Sequence, residues 1–385
     1  MRFGVKFAII SSFCFYAQVH AQTLVYSLSY SETQASSRAR FAPLPAQRSD
    51  AENLAILRNT RKNEIYSITV ADGKRSLLFS DEGMDLETAA RGSVSGSAKV
   101  YTKGVWRYYA IVPVSPANST SYRGVKSEDG IYELSLDGSN RFRKIADAQK
   151  EGRAVLNPQA TKAAAESADA QSILIYSIPD WKLIATLDLT KLAKAHCPSC
   201  TPTAYGWMAD GNRLYVEIVV VGEEDDDEAK ADHPGTYILS PDEGDLGAIP
   251  AETGAFHLAG YVHPNFIERR FIGQLPDGRY LFLDFGAKQG MPLNQTEPFL
   301  VISGLASKPQ KYFPLKFQIG GWISPSGRYL AFTERRQTPD YRTELHLWVK
   351  DLESGEEKEL LSTAPPNPPS SPEPNVALFV LGWMH

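Results

Sequence analysis

Two cysteines, two histidines and a run of acids are the residues whose types and spacing admit chemistry. Cys197 and Cys200 bracket Pro198-Ser199. Such a pair can ligate a metal, exchange disulfides or close a small disulfide loop. Haem attachment is excluded, because Thr201 stands where that motif needs a histidine. A thioredoxin-like site needs a strand running into a helix, and no such context is visible around the pair. In an oxidising compartment the two cysteines read as a disulfide. His257 and His263 are six apart, so on a continuous strand both imidazoles face the same way. They are the candidate transition-metal ligands, yet the third and fourth donors of a closed site are missing. No metal and no other cofactor is expected.

The block Glu223–Glu228, followed by Asp232 and His233, offers hard oxygen ligands. It lacks the alternation and the glycine of a calcium loop, and adjacent like charges stay solvated. Gly92-Ser93-Val94-Ser95-Gly96 has the wrong spacing for a nucleophile elbow. No His-Glu-x-x-His, EF-hand, Walker loop or dinucleotide fingerprint occurs. Paired carboxylates for glycoside cleavage are defined by distance in space, which spacing along a chain does not report.

The opening residues narrow the class. Arg2 and Lys6 precede an apolar stretch from Phe7 to Tyr16, and Val19-His20-Ala21 follows. That order describes a secretory signal peptide over 1–21, leaving 22–385 as one domain, periplasmic or secreted. Phe13 precedes Cys14 where a lipoprotein signal needs a small residue, so no lipid anchor is expected. The apolar run is too short to span a bilayer, and no membrane insertion is expected after its removal. Net charge is −5 with no basic stripe, which argues against nucleic acid as a partner. With 17 Phe, 18 Tyr and 6 Trp the chain can furnish a large core, so disorder is excluded for most of it.

The elements that must position these residues recur. Pro276-Asp277-Gly278-Arg279-Tyr280-Leu281-Phe282 returns as Pro325-Ser326-Gly327-Arg328-Tyr329-Leu330-Ala331-Phe332, and as Ala209-Asp210-Gly211-Asn212-Arg213-Leu214-Tyr215, with a worn copy at Pro158–Ala164. A period of roughly 50 residues predicts a radial array of four-stranded blades. Six outer-strand units are read at Glu64–Val70, Gly130–Leu136, Gln171–Ile178, Gly235–Leu239, Glu297–Ile302 and Glu344–Lys350. Five of them lead into Gly or Asp turns that signal hairpins. Leu381–His385 resembles a first strand with nothing after it, and Thr23–Leu28 a second strand with nothing before it. Pairing the two closes the ring and removes exposed edges. The expected fold is therefore an all-β, six-bladed propeller of four-stranded antiparallel blades.

Loop lengths are lopsided. Second-to-third connections and blade-to-blade links are long, and in a propeller both emerge on one face. Loops on a rigid scaffold carry function. Arg38, Arg40, Tyr122, Arg123, Lys288, Arg335, Arg336, Tyr341 and Arg342 all sit in second-to-third connections. Arginine with tyrosine supplies interface hot spots, so these nine are the candidate binding residues. The proline-rich segment Ala364–Pro374 reads as an extended strut to the closing strand.

Ser324–Phe332 and Leu345–Glu356 together resemble a blade of the TolB-like propellers, a blade type shared with prolyl-oligopeptidase-type peptidases. The last blade carries the resemblance; those around Asp277 and Asp210 match in part. It implies the fold, while the family spans protein-binding components, peptidase gating domains and polysaccharide lyases. The hydrolase domain of the peptidases has no counterpart here. The leading expectation is an exported, non-catalytic propeller binding a protein or peptide on its long-loop face. The alternatives are a channel-centred polysaccharide lyase or glycan hydrolase, and a small-molecule or metal sensor.

Overall fold

A computed structural model describes residues 22–31, 61–80, 97–102, 105–112, 130–135, 142–146, 155–159, 161–167, 169–178, 180–198, 200–220, 233, 235–250, 255–264, 269–316, 321–337, 339, 343–363 and 375–384. The expected signal peptide, the acidic block, the proline-rich strut, and Arg38, Arg40, Tyr122, Arg123, Tyr341 and Arg342 lie outside them.

In chain order the strands are β1 (Thr23–Ser31), β2 (Arg61–Thr69), β3 (Arg75–Ser80), β4 (Ser97–Thr102), β5 (Val105–Val112), β6 (Gly130–Ser135), β7 (Phe142–Ala146), β8 (Val155–Leu156), β9 (Lys162–Glu166), β10 (Ser172–Ser177) and β11 (Leu183–Asp188). One helix, α1 (Leu189–His196), follows. Then come β12 (Cys200–Trp207), β13 (Leu214–Val220), β14 (Gly235–Ser240), β15 (Gly244–Ala248), β16 (Tyr261–Val262), β17 (Arg270–Gln274), β18 (Tyr280–Lys288), β19 (Thr296–Ile302), β20 (Lys311–Pro314), β21 (Gly321–Ile323), β22 (Tyr329–Gln337), β23 (Thr343–Asp351), β24 (Glu357–Ser362) and β25 (Asn375–Trp383).

Hydrogen bonding sorts them into six antiparallel sheets: β25-β1-β2-β3, β4 to β7, β11 back to β8, β12 to β15, β16/β17-β18-β19-β20, and β21 to β24. We number these blades 1 to 6 in that order. Blade 2 is described by its backbone pairing alone. All six outer-strand units expected from the sequence are third strands. The first strands β21, β25, β4, β8 and β12 lie against one another in that order, which puts them at the axis of the propeller.

The core is a set of apolar layers between blades, because strand alternation gives each sheet two apolar faces. Leu281, Leu283 and Phe285 of β18 pack with Leu330 and Phe332 of blade 6. Phe282, one residue out of step, packs with Met208 and Ile238 of blade 4. Leu378, Val380 and Trp383 of β25 pack on Ala331, Leu347 and Val349 of blade 6.

Ring closure follows from this. β25 pairs with β1 over Leu24↔Trp383 to Ser31↔Asn375, and Trp383 Nε1 donates to the Trp322 carbonyl at 2.7 Å. Trp207 makes the same bond to Val155 between blades 4 and 3. The first turns of blades 4, 5 and 6 close through Gly211, Gly278 and Gly327, each with positive φ. At Gly327 an added Cβ would also lie 2.4 Å from Pro276 Cδ of the next blade, so this residue both turns the chain and seats its neighbour.

One element departs from expectation. The link from blade 3 to blade 4 contains α1, not a loop. Asp188 caps it by accepting from Lys191 N–H at 3.0 Å, and Leu189 and Leu192, three apart, bury its inner side against blades 3 and 4. That i, i+3 pair after a capping Asp was the readable signal.

Candidate functional site

A second strand ends, a third begins, a fourth ends and a first begins at the same end of every blade. The long-loop face of blades 5 and 6 is the described part of that end. Lys288 closes β18, and Arg335 and Arg336 lie in the last turn-ward residues of β22. The structure thus puts these three candidates at one end of adjacent blades. Lys288 Nζ donates to Glu297 Oε1 at 2.7 Å, and Tyr261 Oη donates to the other oxygen at 2.9 Å. The lysine bond, then the tyrosine bond, holds the Glu297 carboxyl below its usual range, and the same pairing raises the ammonium. Arg336 Nε donates to Glu334 at 2.9 Å with its guanidinium over the Trp348 ring. Arg335 is exposed.

Beside Lys288 lie apolar side chains that the sequence reading missed. Val262 is 40% exposed, Met291 50% and Leu293 49%. Val262 pairs with Ala287, Gln289 N–H donates to the Gly260 carbonyl at 2.9 Å, and Met291 N–H donates to that of Lys288. The 288–293 turn is therefore held against 260–262, and the apolar groups crown blade 5. Their signal was slight: Met-Pro-Leu in a loop otherwise made of Gly, Gln and Asn.

The histidine candidates do not share a strand. β16 is only two residues long, and His257 precedes it as an exposed loop residue whose backbone N–H donates to Tyr312 Oη at 2.6 Å. His263 instead meets Asp284. The first strand of blade 5 is split: β16 pairs with Ala287–Lys288 and β17 with Tyr280–Leu283. Asp284, wholly buried, sits opposite the break. Its Oδ1 lies 2.8 Å from His263 Nε2 and accepts the Phe285 N–H at 2.8 Å. Its Oδ2 accepts from Arg269 Nε at 2.7 Å. The carboxylate ties both sides of the break to the second strand. A lone Asp inside Leu281-Phe282-Leu283-Asp284-Phe285 was the readable signal. Phe256 fills the gap above Gly286, where an added Cβ would lie 2.6 Å from its ring. Among the described residues no three His, Cys, Asp or Glu side chains converge as metal ligands.

Two other histidines serve structure. His346, buried in β23, lies 2.9 Å from Glu359 and 3.3 Å from Glu344. His196, ending α1, contacts Asp245 of β15 and packs at a tilt against the Tyr237 ring. Just beyond it Cys197 and Cys200 are joined, with Cα atoms 5.2 Å apart. Both are buried in the layer between blades 3 and 4.

No protein-family model matches the chain, and no curated protein is similar to it in sequence. Solved structures resemble it. A putative TolB from Agrobacterium tumefaciens is 12% identical over 93% of this chain and 98% of its own, with a TM-score of 0.38. A putative 6-phosphogluconolactonase from Bacteroides fragilis is 9% identical over 96% and 99%, at 0.41. A puromycin-hydrolyzing peptidase of Mycobacterium tuberculosis is 14% identical over 82% of this chain and 44% of its own, at 0.36. At such values the strand pairing described above, rather than any neighbour, carries the assignment of this chain as a β-propeller of four-stranded blades.

Proposed function

We propose that the chain is an exported, non-catalytic propeller that receives a protein or peptide partner on its long-loop face. Export rests on the basic, apolar and small-residue order of residues 1–21. No helix among the described residues is long and apolar enough to cross a membrane. The observation that carries the binding reading is the exposed set Val262, Met291 and Leu293 beside Lys288, with Arg335 and Arg336 at the same end of the adjacent blade 6. Exposed apolar side chains with lysine and arginine on one face match the composition of an interface core and its edge. Asp284, a wholly buried carboxylate of a second strand, is committed to three contacts and is read as a structural tie.

The test is capture of a partner from a periplasmic extract by the immobilised mature chain. The triple variant V262S/M291S/L293S should lose the captured protein by about tenfold or more, since anchor residues carry more than about 1 kcal/mol each. Its melting temperature should be unchanged. Undiminished capture would remove the face from consideration. Release of new reducing ends from a polysaccharide panel would favour the channel-centred lyase or hydrolase instead.

A further inference from the structure

We propose that the Cys197–Cys200 disulfide fastens both stems of the acidic connection 221–232, so that its reduction by a dithiol loosens that connection while the propeller stays folded. This inference does not rest on the protein-binding reading above. The chain leaves β13 at Val220, and Val220 is the strand partner of Cys200. It returns at His233, whose N–H donates to the His196 carbonyl at 2.9 Å. His196 immediately precedes Cys197, so each stem meets the backbone beside one half of the disulfide. Further contacts make this footing one unit. Tyr237 Oη donates to the His233 carbonyl at 2.6 Å. Cys200 N–H donates to the Cys197 carbonyl at 3.0 Å, and Cys197 N–H to that of Ala193 at 2.7 Å. α1 therefore runs into β12 through a turn that the two sulfurs close.

The size of the covalent loop decides what reduction does. A bridge between cysteines three apart restricts the unfolded chain far less than one closing a long loop. Its loss therefore has little effect on global stability, and the buried layer of Leu189, Leu192, Val216 and Ile218 keeps blades 3 and 4 together. The local effect is larger. Helix ends fray, and the covalent link holds the His196 carbonyl, at the end of α1, toward His233 while Cys200 is set in β12. Cys197 is wholly buried and Cys200 is 8% exposed, so a dithiol enters from the Cys200 side. Its first thiolate attacks Cys200 Sγ and expels the Cys197 thiolate, and its second thiolate then breaks the mixed disulfide. The dithiol is oxidised to a disulfide by two electrons, and both cysteines end as thiols carrying its two protons. In an oxidising compartment the closed bond is the resting state.

Hydrogen exchange read by mass spectrometry on the full mature chain tests this. The samples are the oxidised chain, the chain reduced with dithiothreitol, and the C197A/C200A variant. Iodoacetamide should label neither cysteine before dithiothreitol and both after it. In the reduced chain and in the variant, peptides covering 218–220 and 233–237 should exchange at least about tenfold faster than in the oxidised chain. Residues 299–302 of β19 should be unchanged, and the melting temperature should fall by no more than a few degrees. Dithiothreitol should have no further effect on the variant. Unchanged exchange at the two stems once both thiols are labelled would overturn the proposal. So would a loss of protection that extends equally to β19, or a bond that dithiothreitol leaves intact in the folded chain. If the variant does not fold, the oxidised and reduced wild type decide the question by themselves.

Discussion

Asp277 shows how a single side chain couples turn geometry to charge. It follows Pro276 in the first turn of blade 5 and accepts from Lys308 Nζ at 2.7 Å and Arg279 Nε at 3.0 Å. Burial alone would raise its pKa, but the lysine and arginine bonds outweigh that and lower it from 3.8 to about 2. Asp210 and Asp351 are lowered in the same sense, against burial, by backbone N–H donors and an arginine each. A carboxylate depressed in the folded state binds fewer protons there than when unfolded. Its contribution is complete above the unfolded value and is lost as pH falls through the folded one. Thermal melts of the wild type should therefore steepen their decline between pH about 4 and about 2. Asp277→Asn should start lower and decline less over that window, and parallel curves would show that the turn does not depend on this charge.

A split strand needs something to replace its missing pairing. In blade 5 that something is Asp284, which joins His263 and Arg269 to β18 where β16 and β17 leave it unpaired. Removing one partner from a buried ionic group leaves the others uncompensated, at about 3 kcal/mol. Asp284→Ala should lose about that much in urea unfolding. The control is Asp245→Ala, whose partner His196 and own carboxylate are both about a third exposed; screening there limits the cost to about 1 kcal/mol or less. Equal losses at the two sites would mean that the tie contributes no more than a surface pair. The helix α1 teaches a related lesson. Periodicity over eight residues is short, and the surrounding strand repeats masked it.

Closure of the ring is a property of the whole molecule. β25 brings Leu378, Val380 and Trp383 into the layer shared with blade 6 and satisfies the free edge of β1. Each buried side chain of that kind contributes about 1.5–3 kcal/mol, so together they approach the net stability of a domain. Deleting 376–385 should yield insoluble or strongly destabilised protein, while a deletion of similar length within 223–232 should leave the melting temperature nearly unchanged. A truncated chain that melts like the wild type would show that blade 1 is completed in another way.

The amino-acid sequence by itself determined the architecture. Gly turns at 211, 278 and 327, β-branched and aromatic strands between them, and the matching ends at Thr23–Leu28 and Leu381–Trp383 are local facts, each legible because a strand or turn needs particular residues over a few positions. It also marked which face carries the long connections, since loop length is simply counted. Tertiary structure alone decided which side chains meet. Asp284 with Arg269 and His263, or Val262 beside Met291 and Leu293, join residues from different segments whose distance depends on register and on where a first strand breaks. The parting of His257 from His263 has the same origin: alternation along a strand predicts a shared face only while the strand continues, and here it does not begin until Tyr261.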